Sequence, residues 1–411
     1  MTNRSGINAT TKEEFYLNSG AASETTTTIW VDRGSSGPDT GIRWNSGTGV
    51  WELTNDGSTW QAVCIAPCGG GDLLVGNTLF VDEVNGDNVT ATRGSASAPY
   101  ETIQAALNDA NNNDVIKIGP GTFDEMLVIP DSLSAITLKG DGPSTIITSS
   151  DAYTIGRDSA AELQSLVLES MWVQNNYIGG NCIYIDGSNA AGYAINDAYA
   201  GIDFRHLTVT ANTVTDEAIA VTCVRSVEME DITVVGSIAA NEVVELGVNN
   251  AKMDDSDLIV SFSNSATVPD GYSSCELKVN ATTMNDADLA GVVYGKIDNT
   301  YMVYLTYAPA EDVKNVTLNL VGGKVEGTML VTRASGSNTH FVKAYNSYIG
   351  EIDTTDVDVY VYAGYIAGST EADACDISLY GGFIYPAGFT FVSGGRLIVY
   401  INDGTSIIYS A

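Results

Sequence analysis

Two sets of side chains recur along this chain at spacings that could do chemistry, one acidic and one aromatic. The acidic set is His206, Asp231, Asp257 and Glu276, and Asp203, Glu228 and Asp254 run ahead of its first three members. Successive members of the longer set lie 25, 26 and 19 residues apart. If each interval is one coil of a wound backbone, the members stack into a file one strand spacing apart, about 4.8 Å. Carboxylates in such a file repel, so they must stay solvated, take up protons or share a cation such as Ca²⁺. Asp203, Glu228 and Asp254 are the candidates for holding a metal. Two carboxylates on adjacent coils could instead serve as general acid and as nucleophile or base in cleaving a glycosidic bond. Asp231, Asp257 and Glu276 are the candidates for that role.

The aromatic set is Tyr345, Tyr362 and Tyr380, with Tyr348, Tyr365 and Phe383 three residues behind. Thirteen of the 21 tyrosines lie beyond residue 293, so aromatic character belongs to one end of the chain. Tyrosine carries a flat apolar face with a polar rim, which suits sugar rings or a partner chain. The same recurrence also reads as a ladder that stabilises the stack, leaving architecture, subunit interface and receptor surface as alternatives.

Both sets need a backbone that returns to the same place every coil, and the strand pattern supplies one. HLTVT, DITVV, DLIVS and ELKVN place Val209, Val234, Val260 and Val279 in one expected register. Later, LNLVGGKV, VKAYNSYI, VYVYAGYI and ISLYGGFI register Leu320, Ala344, Val361 and Leu379 at intervals of 24, 17 and 18. In each motif two apolar positions point inward and the residue between them points out. Gly322, Gly323, Gly364, Gly381 and Gly382 mark a turn that recurs at one corner of the coil.

Upstream, Ile103, Ala106, Leu107 and Ala110 form an apolar stripe at helical spacing, with Glu101 or Thr102 at its start. Strand alternation resumes at Asp114 to Ile118. A stack of strands has an unpaired edge and an open core at its first coil, and a helix with one apolar face covers both.

VDEVNGD, PYETIQAALNDANNNDVIKIGPGTFDEMLVI and ITLKGDGPSTII together resemble the entry to right-handed parallel β-helices of the pectin-lyase-like superfamily. Relatives on that fold cleave acidic polysaccharides, and a tailspike-type lyase or hydrolase is the alternative function the resemblance implies. Against it, Arg205, Arg225 and Lys252 share no column, no superfamily Asp-pair motif is present, and an acidic surface repels a polyuronate.

Ahead of this body, Ile29–Val31, Ile42–Trp44, Val50–Leu53 and Trp60–Val63 read as the strands of a small meander between Gly, Asn and Asp turns. GIRWNSGTGVWELTNDGSTW resembles modules near the N-termini of bacteriophage tail fibre and other virion fibre proteins. That resemblance implies an anchoring role for Trp44, Trp51 and Trp60, which also read as the core of a thin sheet. The expected order is an arm (1–28), the Trp-rich meander (29–63), a Gly-rich linker (64–76), a β-helix body (77–300) and Tyr/Gly-rich coils (301–411).

Composition narrows the partners. The 51 acidic against 18 basic residues leave a net charge of −33, which repels nucleic acid and anionic membrane. No apolar run approaches the roughly 18 residues of a membrane span, nor the apolar core of a secretory signal. Of six cysteines only Cys64 and Cys68 are close in sequence, and His206 and His340 stand alone. Zinc would need a second ligand pair, leaving a disulfide or small buried apolar residues as the other readings. NGDN at 85–88 and NDG at 55–57 read as turns or as fragments of calcium loops.

The expectation is an all-β protein, a right-handed parallel β-helix capped by a short helix, that acts by binding rather than catalysis. It would be a bacteriophage fibre or spike on tail or head, made in the host cytoplasm. Its expected partners are virion proteins through the N-terminal module, a host surface glycan or receptor, and copies of itself in a homotrimer. No cofactor is expected unless Ca²⁺ sits in the acidic files.

Overall fold

The computed structural model describes residues 27–31, 40–46, 50–54, 56, 58–59, 61–63, 78–158, 163–187, 201–253, 255–262, 275–308, 316–332, 340–384, 389–392, 394–400 and 406–410. Backbone contacts divide the chain into two units, Met1–Val75 and Gly76–Ala411.

In the first unit, Thr27–Val31, Thr40–Asn45, Val50–Thr54 and Gln61–Val63 pair in sequence order as an antiparallel sheet. Trp44 stands directly opposite Trp51, and their rings meet edge to face at 5.8 Å and 63°. Such a cross-strand aromatic pair is what a sheet this thin has in place of a layered core. Arg43 reaches across to Glu52 at 2.6 Å. Asp56 closes its turn by accepting from the backbone N–H of Ser58 and Thr59, at 2.8 and 2.6 Å. Those bonds hold its carboxyl far below the usual carboxylate range.

The second unit is a parallel β-helix with three sheets. The first sheet runs from Thr78–Val81 and Asp114–Ile118 to Asp376–Tyr380 and Arg396–Tyr400, every step parallel. The second starts at Gly121–Asp124 and ends at Phe383–Ile384, and the third runs from Leu127–Val128 to Phe389–Val392. The inward positions of the first sheet make an unbroken file through the core. It includes Leu79, Ile116, Leu138, Leu168, Phe204 and Met229, continues through Val248, Val279 and Ile297, and ends at Leu320, Ala344, Val361, Leu379 and Val399. Phe123, Ile147, Val173, Val209, Val234 and Met253 do the same for the second sheet. Each fully buried Val, Leu, Ile, Phe or Met in these files stabilises the stack by roughly 1.5–3 kcal/mol.

The expected register of Leu320, Ala344, Val361 and Leu379 is the register observed, and Val209 pairs with Val234. Val260 and Val279 depart from it. Val234 pairs with Met253, while Val260 lies in the third sheet between Ala240 and Leu289. Val279 belongs to the first sheet, between Val248 and Ile297. Every sheet carries the same apolar-x-apolar pattern, so spacing alone assigned two strands to the wrong face.

A left-handed corner follows the first sheet coil after coil. Ser170, His206, Asp231, Asn250, Ala281, Asn299, Asn346 and Ala363 hold it at φ between 48° and 57°, and Gly322 and Gly381 at 65° and 67°. Of the five glycines flagged by the sequence, Gly322 and Gly381 are thus members of a longer series, while Gly323, Gly364 and Gly382 follow the corner, where the backbone of the coil before lies too close for a Cβ. Of the remainder of the series, His206, Asp231, Asn250, Asn299 and Asn346 are of the types that tolerate αL best after glycine, and Ser170, Ala281 and Ala363 are held there by the ladder on either side.

The helix Ile103–Asp109 closes the first coil. Its buried face is Ile103, Ala106 and Leu107, packed against the strands Thr78–Val81, Asp114–Ile118 and Leu127–Val128. Thr102 is the N-cap, its hydroxyl accepting from Ala105 N–H at 3.3 Å. The Glu125 carboxylate takes two further free donors of that first turn, Ile103 N–H at 2.8 Å and Gln104 N–H at 3.1 Å. At the other end, Ser406–Ser410 turns back antiparallel along Arg396–Tyr400. No helix among the described residues is long and apolar enough to cross a membrane.

Candidate binding surface

The first sheet presents its outward side chains in files of the same regularity as the core. One file reads Glu169, Arg205, Glu230, Asn249, Asn280, Asp298 and Val321, then Tyr345, Tyr362, Tyr380 and Tyr400. The four tyrosines stack. Ring centroids are 4.8 Å apart from Tyr345 to Tyr362 and from Tyr362 to Tyr380, and 4.2 Å from Tyr380 to Tyr400, with ring planes 5° to 10° apart. Tyr360, in the next outward file, lies 6.5 Å from Tyr380 and 5.6 Å from Phe341. The sequence named Tyr345, Tyr362 and Tyr380. It missed Tyr400, although LIVY at 397–400 repeats the pattern of VKAY, VYVY and ISLY, because no small-residue corner follows it.

Past the left-handed corner, Tyr348, Tyr365 and Phe383 form the opening positions of successive strands in the second sheet. Tyr348 and Tyr365 stack at 5.4 Å and 22°, and Phe383 is 76% exposed. The Lys324 ammonium lies 5.2 Å over the Tyr301 ring and 5.3 Å over the Tyr348 ring, linking the aromatic corner to a ring two coils earlier. The Tyr301 hydroxyl donates to Glu326, which raises the phenol and lowers the carboxyl.

Burial in the stack pushes the Tyr380 phenol up to about 12, helped by its hydrogen bond with Tyr400, and burial also raises Tyr362 and Tyr360. A phenol raised in the folded state favours the fold while it stays protonated. The ladder's contribution is therefore complete below the ordinary phenol value near 10 and is lost as pH climbs from there towards 12. In an alkaline titration, phenolate absorbance should show a late group of tyrosines whose ionisation coincides with loss of the near-ultraviolet dichroism of the stack. A single transition at the ordinary value would show that the rings are not held together.

The acidic candidates are arranged differently from the expected files. Asp203 and Glu228 are direct neighbours on the first sheet, but the position below them is Gly247. The Glu228 carboxylate lies over Gly247, in space a Cβ would fill. Partial burial raises the Glu228 carboxyl, and the Lys278 ammonium opposes that shift. Asp203 is itself bound to Arg205 at 2.6 Å. Asp254, the third proposed metal ligand, lies outside the described residues. Among the described residues no group of three or more His, Cys, Asp or Glu side chains is placed to hold a metal ion.

His206 and Asp231 do meet at the left-handed corner, 3.3 Å apart, and Asp231 also accepts from the Asn250 side chain. Asp257 and Glu276 do not join them. Asp257 opens a third-sheet strand, accepting from the Asn285 side chain at 3.1 Å and the Asp286 N–H at 3.2 Å. Glu276 stands on the first sheet between Glu245 and Tyr294. The three proposed catalytic carboxylates thus occupy three separate places, for the same reason that Val260 and Val279 left their register.

Of the proposed anchoring residues, Trp44 and Trp51 form the cross-strand pair described above, and Trp60 lies outside the described residues. Cys182, Cys223, Cys275 and Cys375 are buried free thiols. Burial pushes Cys182, Cys223 and Cys275 up to about 12 and Cys375 to about 11, so they serve as small apolar residues. Cys64 and Cys68 lie outside the described residues. The NGDN segment is a turn in which Asp82 accepts from Val84 and Asn85, and Asp87 from Val89.

By its three stacked parallel sheets, then, the second unit is a parallel β-helix protein. No family model matches the chain, and no curated protein does. Among solved structures it is similar to a mutant pectin methylesterase in complex with a hexasaccharide, at 12% identity over 81% of this chain and 85% of that one, with a TM-score of 0.31. Pectin methylesterase from carrot is similar at 12% identity over 79% and 90%, with a TM-score of 0.27.

Proposed function

We propose that this chain is a structural component of a bacteriophage particle, a β-helical fibre or spike on tail or head that attaches through its N-terminal Trp-rich module and contacts the host surface with its last coils. The observation that carries the reading is the aromatic corner of Tyr348, Tyr365 and Phe383, which offers open ring area on a rigid support. A Phe ring three-quarters exposed has no part in the core, and an aromatic face of this kind gives a sugar ring a stacking platform at little entropic loss. The net charge of −33 directs the choice of ligand towards a neutral host glycan or a basic receptor. The resemblance of GIRWNSGTGVWELTNDGSTW to virion fibre modules supports attachment by the other unit.

Two measurements test this. Antibody to the chain should decorate purified particles at a fixed site in electron micrographs, and absence of label from every particle would end the virion reading. Tyr365→Ser with Phe383→Ser should weaken binding of the purified protein to host cells by about tenfold or more while its thermal midpoint holds. Unchanged binding would remove this corner from the contact.

A further inference from the structure

We propose that the tyrosine ladder on the first sheet is a docking face for a second copy of this chain, laid side by side with its rungs in step. Self-association through this face holds whether or not the chain stands on a virion.

The geometry of the rings separates this face from the corner described above. Tyr362 and Tyr380 each have a neighbouring ring on both faces, at 4.2 to 4.8 Å, so their planar surfaces are already covered. What they turn outward is ring edge and hydroxyl. A sugar ring stacks on an open aromatic face, and the middle of this ladder offers none. It offers a comb of edges repeating at the rung spacing of a β-sheet, about 4.8 Å. A partner that meets every tooth must share that repeat, and another stack of parallel strands has it by construction. A second copy supplies the same comb of Tyr edges, and the two combs can meet edge to edge, ring rim and hydroxyl against ring rim and hydroxyl, with little loss of rotamer freedom.

Charge selects the same region. Two copies that each carry −33 repel over most of their surfaces. On the last four first-sheet strands, from His340–Tyr345 to Arg396–Tyr400, the charged outward residues are Lys343, Asp358, Asp376 and Arg396, two bases against two acids. Asp376 and Arg396 also neutralise each other through a two-pronged contact at 2.7 and 2.5 Å. Three middle strands of the same sheet, Ser226–Glu230, Glu245–Asn249 and Cys275–Asn280, turn Glu228, Glu230, Glu245 and Glu276 outward against Lys278 alone. The ladder therefore lies on a neutral, aromatic stretch of the sheet, beyond its acidic middle strands, where two copies can meet without net like-charge repulsion.

Sedimentation velocity of the full chain at low and at moderate salt is the test. Association is expected, and it should strengthen as salt screens the repulsion between the acidic bodies. Lys343→Glu combined with Arg396→Gln leaves every ring in place while making the face acidic, and should weaken association by about tenfold or more. Hydroxyl-radical footprinting of the unaltered protein gives a second readout that no variant can confound. Tyr345, Tyr362, Tyr380 and Tyr400 should be protected at concentrations where copies associate, while Tyr304 on the third sheet, 49% exposed, stays labelled. A monomer at both salt concentrations would overturn the proposal. So would association that leaves the ladder labelled as in the monomer, or ladder protection that appears only when host glycan is added.

Discussion

Replacing Arg93 by methionine is expected to destabilise the entry coil by about 3–5 kcal/mol, because it strands a charge in the core. The Asp114 side chain is fully buried, and the Arg93 guanidinium meets it at 2.5 Å. Its other oxygen accepts from Asn111 N–H at 2.7 Å. Asp114 begins the second strand of the first sheet, directly under the capping helix, so an unpaired carboxylate there opens the part of the stack that the helix closes. Arg93 also belongs to the loop that Gly94 ties to Thr78 through a backbone bond of 2.9 Å. The effect should appear as a fall in the urea midpoint and as faster amide exchange in Ile103–Asp109 and Asp114–Ile118. Adding Asp114→Asn to Arg93→Met should recover much of the loss, since removing both charges leaves a hydrogen-bonding side chain in place of a buried ion. If Arg93→Met alone moves the midpoint by less than about 0.5 kcal/mol equivalent, the pair is not a buried charge pair in solution.

How far the sequence revealed this structure depended on which residue stood at the left-handed corner. In the later coils the corner falls in a pair of small residues, Gly322–Gly323, Asn346–Ser347, Ala363–Gly364 and Gly381–Gly382, and the register of Leu320, Ala344, Val361 and Leu379 read from those motifs is the one observed. In the middle coils the same corner is held by His206, Asp231, Asn250 and Ala281, followed by Leu207, Ile232, Ala251 and Thr282, so no recurring small pair marks it. Without that mark, strands of different sheets look alike, and Val260 took the place that belongs to Met253. The misplacement of Asp257 and Glu276 followed from it, since an outward residue is located only as well as its strand. The capping helix was legible because period 3.6 stands out against strand alternation, and its buried face is three of the four residues of the expected stripe, the fourth, Ala110, being the C-cap. Gly247 under Glu228 was not legible at all, because it depends on which residue lies one coil away.

The second large effect is expected at Phe204. Its ring is fully buried in the first-sheet file, with Leu168 on the coil before it and Met229 on the coil after. Phe204→Ala removes a ring whose neighbours sit on a hydrogen-bonded ladder with fixed rung spacing, so the walls cannot close the gap. Transfer and cavity terms together should lower stability by about 3–5 kcal/mol. Phe204→Leu, which keeps most of the volume, should lower it by less than about 1.5 kcal/mol. Asp203→Ala, one residue away but outward, should stay within about 0.5 kcal/mol, since its partner Arg205 is exposed and such pairs contribute little. Because each coil touches mainly its neighbours, loss at Phe204 should weaken exchange protection first in Leu168 and Met229 and least in the distant coil of Leu379. Chemical denaturation of the three variants, followed by hydrogen exchange of Phe204→Ala, separates these outcomes. Equal loss of protection along the whole stack would show that the coils unfold as one block and that the nearest-neighbour picture of this β-helix is wrong.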